Sequence, residues 1–169
     1  MSISVGAAGN LGLSEGQGFG PKLQWGASGN IGFAFPVAGW LAIEPGFDYA
    51  WTAPSDVSGG FAYRGFPAGA LSVMLQAHGL LAASSGFGEL SGGAALGGAA
   101  AFAVYSGTTL YFFFPEARVR AFLEWRPAFL PALGFALALP ANMQFRRDMT
   151  WSVAAGLELD VEYTLGEGK

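Results

Sequence analysis

The end of the chain alternates strictly between apolar and polar or small side chains. From residue 151 to 165 one set is Trp151, Val153, Ala155, Leu157, Leu159, Val161, Tyr163 and Leu165; the other is Ser152, Ala154, Gly156, Glu158, Asp160, Glu162 and Thr164. Successive side chains of a β-strand point to opposite faces, so this segment has one apolar wall and one acidic wall. Strands of soluble sheets usually run about 5–6 residues, whereas a tilted strand needs about 9–11 to cross a bilayer. Alternation held for 15 residues predicts a membrane-spanning strand.

The same period recurs. Ile3, Val5, Ala7, Gly9, Leu11 and Leu13 alternate with small or polar residues, as do the odd positions of Leu23–Phe35, Leu41–Trp51, Tyr111–Trp125 and Phe129–Leu139. Two weaker segments, about 69–83 and 89–105, complete a set of eight. The second is so rich in Gly and Ala that its faces show little contrast. Long connections are expected at 15–21, 53–66 and 140–149, and short ones at 36–39, 84–87 and 126–127. The link 106–109 is a short exception on the long-loop side. Long loops at one rim and tight turns at the other are the habit of outer-membrane barrels. The predicted fold class is all-β: a single domain, 1–169, forming an eight-stranded antiparallel up-and-down transmembrane β-barrel.

Aromatic residues give an independent check on this register. Trp25, Trp51 and Trp151 fall near the long-loop ends of their strands, and Trp40, Trp125 and Tyr163 near the short-turn ends. Two girdles at two interfaces require that placement. A helical membrane protein stays open as an alternative, since 90–115 and 127–145 are long and nearly uncharged. Both are crowded with Gly, Pro and aromatic residues, and 128–139 has period two rather than 3.6. A soluble lipocalin-like barrel also stays open. It would turn the charged face outward, yet that face is otherwise Gly, Ala and Ser.

Composition narrows the functional classes. Only 12% of residues are charged and 52% are apolar, with 27 glycines and a mean hydropathy of +0.40. The net charge of −4 and the lack of a basic stripe exclude nucleic acid as a partner. Without cysteine there is neither a disulfide framework nor a thiolate metal site. No metal or other cofactor is expected. Met1-Ser2-Ile3 does not open a leader peptide, so an exported protein would carry an added Met on a mature-length chain.

With the apolar face toward lipid, the other wall lines a lumen holding Glu44, Asp48, Glu116, Arg118, Arg120, Glu124, Glu158, Asp160 and Glu162. An eight-stranded barrel is about wide enough for its own side chains to fill. Confined carboxylates cost several kcal/mol each unless paired, and the planar fork of arginine is their natural partner. A cross-lumen cluster centred on Arg118 and Arg120 is expected. It forms either a structural plug or the wall of a narrow, cation-preferring path, depending on how much of the space beside Gly6, Gly12, Gly26, Gly32, Gly46 and Gly156 is filled by Phe112, Phe114, Phe122 and the arginines.

Along its whole length the chain resembles the small bacterial outer-membrane β-barrels of the OmpA/OmpX/OmpW-like group. Ala42-Ile-Glu-Pro-Gly-Phe-Asp-Tyr49 is similar to the third strand of that group. Gly156-Leu-Glu-Leu-Asp-Val161 is similar to its C-terminal assembly signal, departing from it at Ala154 and in the tail after Tyr163. The resemblance implies a bacterial outer-membrane location with periplasmic termini. It also implies contact with membrane lipids (lipopolysaccharide at the loops), engagement of the outer-membrane assembly machinery through the last strand, and a monomer.

Catalytic chemistry has little support, and a non-enzyme is expected. The lone His78 falls in the lumen or at the short-turn rim without a serine–acid set beside it. The Gly16–Gly20 run lacks the strand-to-helix context of a phosphate site. Phe61, Tyr63, Arg64 and Phe66 in one long loop, and Arg146, Arg147 and Asp148 in another, are candidates for surface contacts.

Overall fold

A computed structural model describes residues 1–16, 19–52, 68–103, 112–145 and 151–166. Eight strands follow one another in chain order: β1 (Ser2–Gly16), β2 (Phe19–Ala38), β3 (Leu41–Thr52), β4 (Ala68–Ser85), β5 (Gly88–Ala103), β6 (Phe112–Pro127), β7 (Leu133–Phe145) and β8 (Trp151–Thr164). Each pairs antiparallel with its neighbours, and β8 returns to β1, closing an up-and-down barrel. Every regular element among the described residues is a strand, which removes the helical alternative.

The register fixes the barrel's shape. Starting at Ser4, partners run through Gly32, Gly46, Ser72, Ala99, Glu116, Gln144 and Ser152 and return to β1 at Ser14, ten residues from the start. For eight strands this stagger corresponds to a tilt of about 40°. From Ser4 to Gln144 every residue on that path belongs to the inward, small or polar set.

The two walls differ as the alternation requires. Leu71, Leu75, Leu96, Val119, Leu137, Leu157 and Leu159 stand exposed on the outside, while Ser2, Glu44, Ser72, Gln76, Glu116, Glu124, Glu158 and Asp160 are buried within. A water-soluble barrel has the opposite polarity, so the lipocalin-like alternative fails. Trp40 directly precedes β3, and Trp51 stands eleven residues further along the same strand. At about 3.3 Å per residue and about 40° of tilt, that is about 28 Å of barrel height, close to the roughly 25 Å apolar band of such barrels.

Several boundaries differ from the sequence expectation. The segments 15–21 and 140–149 are largely strand, because β1 and β2 stay paired up to Gly16 and Phe19 and β7 runs on to Phe145. Residues 36–38 and 126–127 also belong to strands; the turns lie at 39–40, 86–87 and 128–132. Two ladders are interrupted beside a proline, which has no N–H to donate. β2–β3 skips between Gly32–Gly46 and Phe35–Ile43, around Pro45, and β7–β8 between Ala138–Glu158 and Ala141–Ala155, around Pro140. In β4, residues 78–80 face the single residue Gly93 of β5, a wide bulge turned by Gly79 at φ 74°. The backbone N–H of His78 donates to the Trp40 carbonyl at 2.8 Å, pinning the bulge to the β2–β3 turn.

Candidate functional site

Strand β6 supplies the cations. From Glu116 onward its even-numbered residues face the lumen, which aligns Arg118, Arg120 and Arg126 as three rungs. Arg118 meets Asp48 of β3 and Glu116 of its own strand, each at 2.5 Å. Arg120 reaches Glu44 of β3 at 3.1 Å, Glu158 of β8 at 3.2 Å and Asp160 of β8 at 3.8 Å. Arg126 takes Glu124 at 2.5 Å and Glu162 at 2.8 Å, and donates to the Thr164 hydroxyl at 2.5 Å. All nine charged positions singled out in the sequence thus join ion pairs. Arg126 is the member sequence reasoning missed. Its pairing with Pro127 reads as a turn, although its even spacing from Arg118 and Arg120 was a usable signal.

Neutral groups add donors to Glu44, Asp48 and Glu116, as buried carboxylates require partners. Among the described residues, Glu124 Oε1, Asp160 Oδ1 and Arg120 Nε are buried without a hydrogen bond. The Ser4 hydroxyl donates to Glu44 at 3.0 Å, and the Gln76 amide donates to the other oxygen of the same carboxylate. Ser72 donates to Asp48 at 3.2 Å, and the amides of Asn142 and Gln144 donate to Glu116 at 3.0 and 2.8 Å. His78 lies at the turn side of the lumen, its Nε2 3.2 Å from Gln76 Oε1 and its ring edge-on to Phe122.

Glycines of the inner wall make this possible. A methyl group at Gly32 would strike the Glu44 carboxylate, one at Gly6 would strike Asp160, one at Gly134 would strike Glu124 and one at Gly156 would strike Asn10. Each long polar side chain lies over a neighbour that has none. The abundant glycine therefore accommodates the charged side chains rather than leaving open space throughout.

Among the described residues, two cavities lie on either side of Arg120. The one toward the long-loop rim has a volume of about 120 Å³ and is lined by Asn10, Asn30, Asp48, Ser72, Arg118 and Asn142, among others. The one toward the turn rim has about 20 Å³ and lies among Gln76, His78, Phe122, Glu124 and Glu162. Glu44 and Arg120 line both. A single water needs about 10–15 Å³ on this measure, so the lower space fits about one water and the upper one several.

On the outer surface, Trp25, Trp40, Trp125 and Tyr163 are exposed, and Trp125 lies 6.0 Å from Phe135, ring centre to ring centre. The backbones of Trp51 and Trp151 lie at the long-loop ends of β3 and β8; their side chains fall outside the described residues. So do the side chains of Phe112 and Phe114 and the segments holding Phe61, Tyr63, Arg64, Phe66, Arg146, Arg147 and Asp148.

No family model matches the chain, and no curated protein matches it in sequence. Solved structures do. Neisserial surface protein A is 12% identical over 96% of this chain and 97% of its own, with a TM-score of 0.55. The N-terminal β-barrel domain of Pseudomonas aeruginosa OprF is 12% identical over 94% and 96%, with a TM-score of 0.47. The outer membrane enzyme PagL is 14% identical over 96% and 99%, also with a TM-score of 0.47. The chain has the fold of the small eight-stranded outer-membrane barrels.

Proposed function

We propose that this chain is an outer-membrane barrel whose lumen is closed by its arginine–carboxylate ladder and which acts without catalysis, as a structural or surface-interaction protein presenting its long-loop rim. The observation that carries this reading is Arg120, which reaches Glu44 on one side and Glu158 and Asp160 on the other and separates the two cavities. A rung of one guanidinium and three carboxylates, each at most 8% exposed except the arginine at 15%, supports a plug rather than a pore. The apolar outer wall and the spacing of the Trp girdles support a membrane location. In this reading the chain is a monomer with periplasmic termini. Its partners are membrane lipids, lipopolysaccharide at the loops, and the assembly machinery that receives β8.

A narrow passive channel for small polar or cationic solutes is the second reading. The 120 Å³ cavity with Asp48 and Glu158 in its wall favours it. Conductance across a planar bilayer separates the two. A closed ladder gives a silent membrane from protein whose folding is confirmed by a heat-dependent gel shift. Discrete, salt-dependent, cation-selective steps would replace the plug with the channel.

A further inference from the structure

The β4–β5–β6 corner of the barrel continues past the turn rim. The last partner of β3 on β4 is Ala77, yet β4 and β5 stay paired through Leu81–Gly92 to Ser85–Gly88, and β5 stays paired with β6 down to Gly88–Pro127. From Ala94 to Gly88, β5 runs six residues below that level, roughly 15 Å at about 3.3 Å per residue and about 40° of tilt. Residues 81–85 have β5 on one side and no β3 partner on the other, so this tongue has a free sheet edge.

Its outer face is apolar. Residues 79–92 contain one charged side chain, Glu89, which lies across the ladder from Arg126 on the inner face, and the adjoining turn 128–132 contains none. Phe87 at the tip is 85% exposed, Phe129 80%, and Leu80 and Leu81 64% and 69%. The bulge at His78–Leu80 matters here. Regular alternation would turn one of two successive leucines inward, but the extra residues leave both Leu80 and Leu81 on the outside. In water, a free apolar edge of this kind is a template for aggregation.

We propose that this tongue, with the β6–β7 turn beside it, is inserted into the lipid leaflet on the turn side of the membrane. Resting on the membrane reading above, the assignment makes lipid the occupant because the exposed apolar residues continue the columns of the lipid-facing wall past the girdle residue Trp125. Leu90 and Leu81 extend the columns of Leu96, Ala94 and Leu75 with no charge between them on the outer face, and the exposed girdle residue Trp125 stands directly across the ladder from Leu90. The barrel is therefore taller in apolar surface at this corner than at β8–β1–β2, where the wall ends near Met1 and Leu165.

The absence of cysteine allows single nitroxide labels at Phe87→Cys, Phe129→Cys, Val119→Cys on the wall and Gly166→Cys after β8, in vesicles of phosphatidylethanolamine and phosphatidylglycerol. Insertion predicts that labels 87 and 129 match label 119: broadened by dissolved oxygen and no longer reached by a water-soluble nickel chelate. If the chelate reaches 87 and 129 as it reaches 166 while 119 stays shielded, the tongue lies in water and only the barrel reading survives. Access of the chelate to 119 would overturn the membrane reading as well. Shielding of 87 and 129 from both reagents would mean a protein cover and would also refute insertion.

Discussion

Replacing Arg120 by methionine keeps the aliphatic stem but removes the cation shared by Glu44, Glu158 and Asp160. Breaking a buried pair from one side costs about 3–5 kcal/mol, because the remaining charge is stranded. Here three carboxylates lose one partner, so the upper part of that range applies. With a urea dependence of about 2 kcal/mol per molar, the unfolding midpoint falls by about 2–2.5 M. The loss should decrease in the order Arg120, Arg118, Arg126. Arg118 serves two carboxylates, one of them Asp48 at 23% exposure beside the larger cavity, and Arg126 is itself 27% exposed. Adding Glu158→Gln to Arg120→Met should restore about 1 kcal/mol or more, a coupling expected of direct partners. Urea unfolding in lipid vesicles, followed by Trp fluorescence and the heat-dependent gel shift, measures all four variants. Unchanged melting of Arg120→Met, or a reversed order, would refute the ladder as a source of stability.

Three further expectations follow from the walls. Gly32→Val places atoms where Glu44 lies and should cost about 1–3 kcal/mol by overpacking, whereas Gly9→Ala, on the outer face with nothing nearby, should be near neutral in the same unfolding assay. Val119→Arg puts a charge on the outer wall near mid-height and should cost about 2–4 kcal/mol in vesicles, falling in residues closer to either Trp girdle. Amide exchange should be fastest within the strands at Phe33–Ala34 and Gly156–Leu157, opposite Pro45 and Pro140, where the ladders are interrupted; uniform protection along β2 and β8 would contradict this.

The outer wall was legible in the sequence because lipid selects apolar residues at every second position, and β8, β1 and β3 show that contrast plainly. The Gly/Ala-rich β5 did not show its faces by composition, yet pairing on both sides holds it in one register. The ends of strands were read less well. Lys22 and Pro21 look like loop residues, but an aqueous rim tolerates them within a paired strand. The bulge left a sign in Gly79-Leu80-Leu81, a glycine followed by two apolar residues that break the period. The charged cluster was recognisable as a set of residues. Its division into three rungs was not, since that depends on the tilt that brings β3, β6 and β8 to common heights.

Three of the seven paired acids, Glu158, Asp160 and Glu162, arrive with β8, the last strand to be synthesised. Until then Arg120 lacks two of its three partners, and Arg126 has only its strand neighbour Glu124. A chain truncated before β8 thus leaves Arg120 and Arg126 short of partners and leaves an open seam as well. The strand that closes the hydrogen-bonded wall also completes the Arg120 and Arg126 rungs, so completion of the chain is registered twice, once by the backbone and once by the ion pairs.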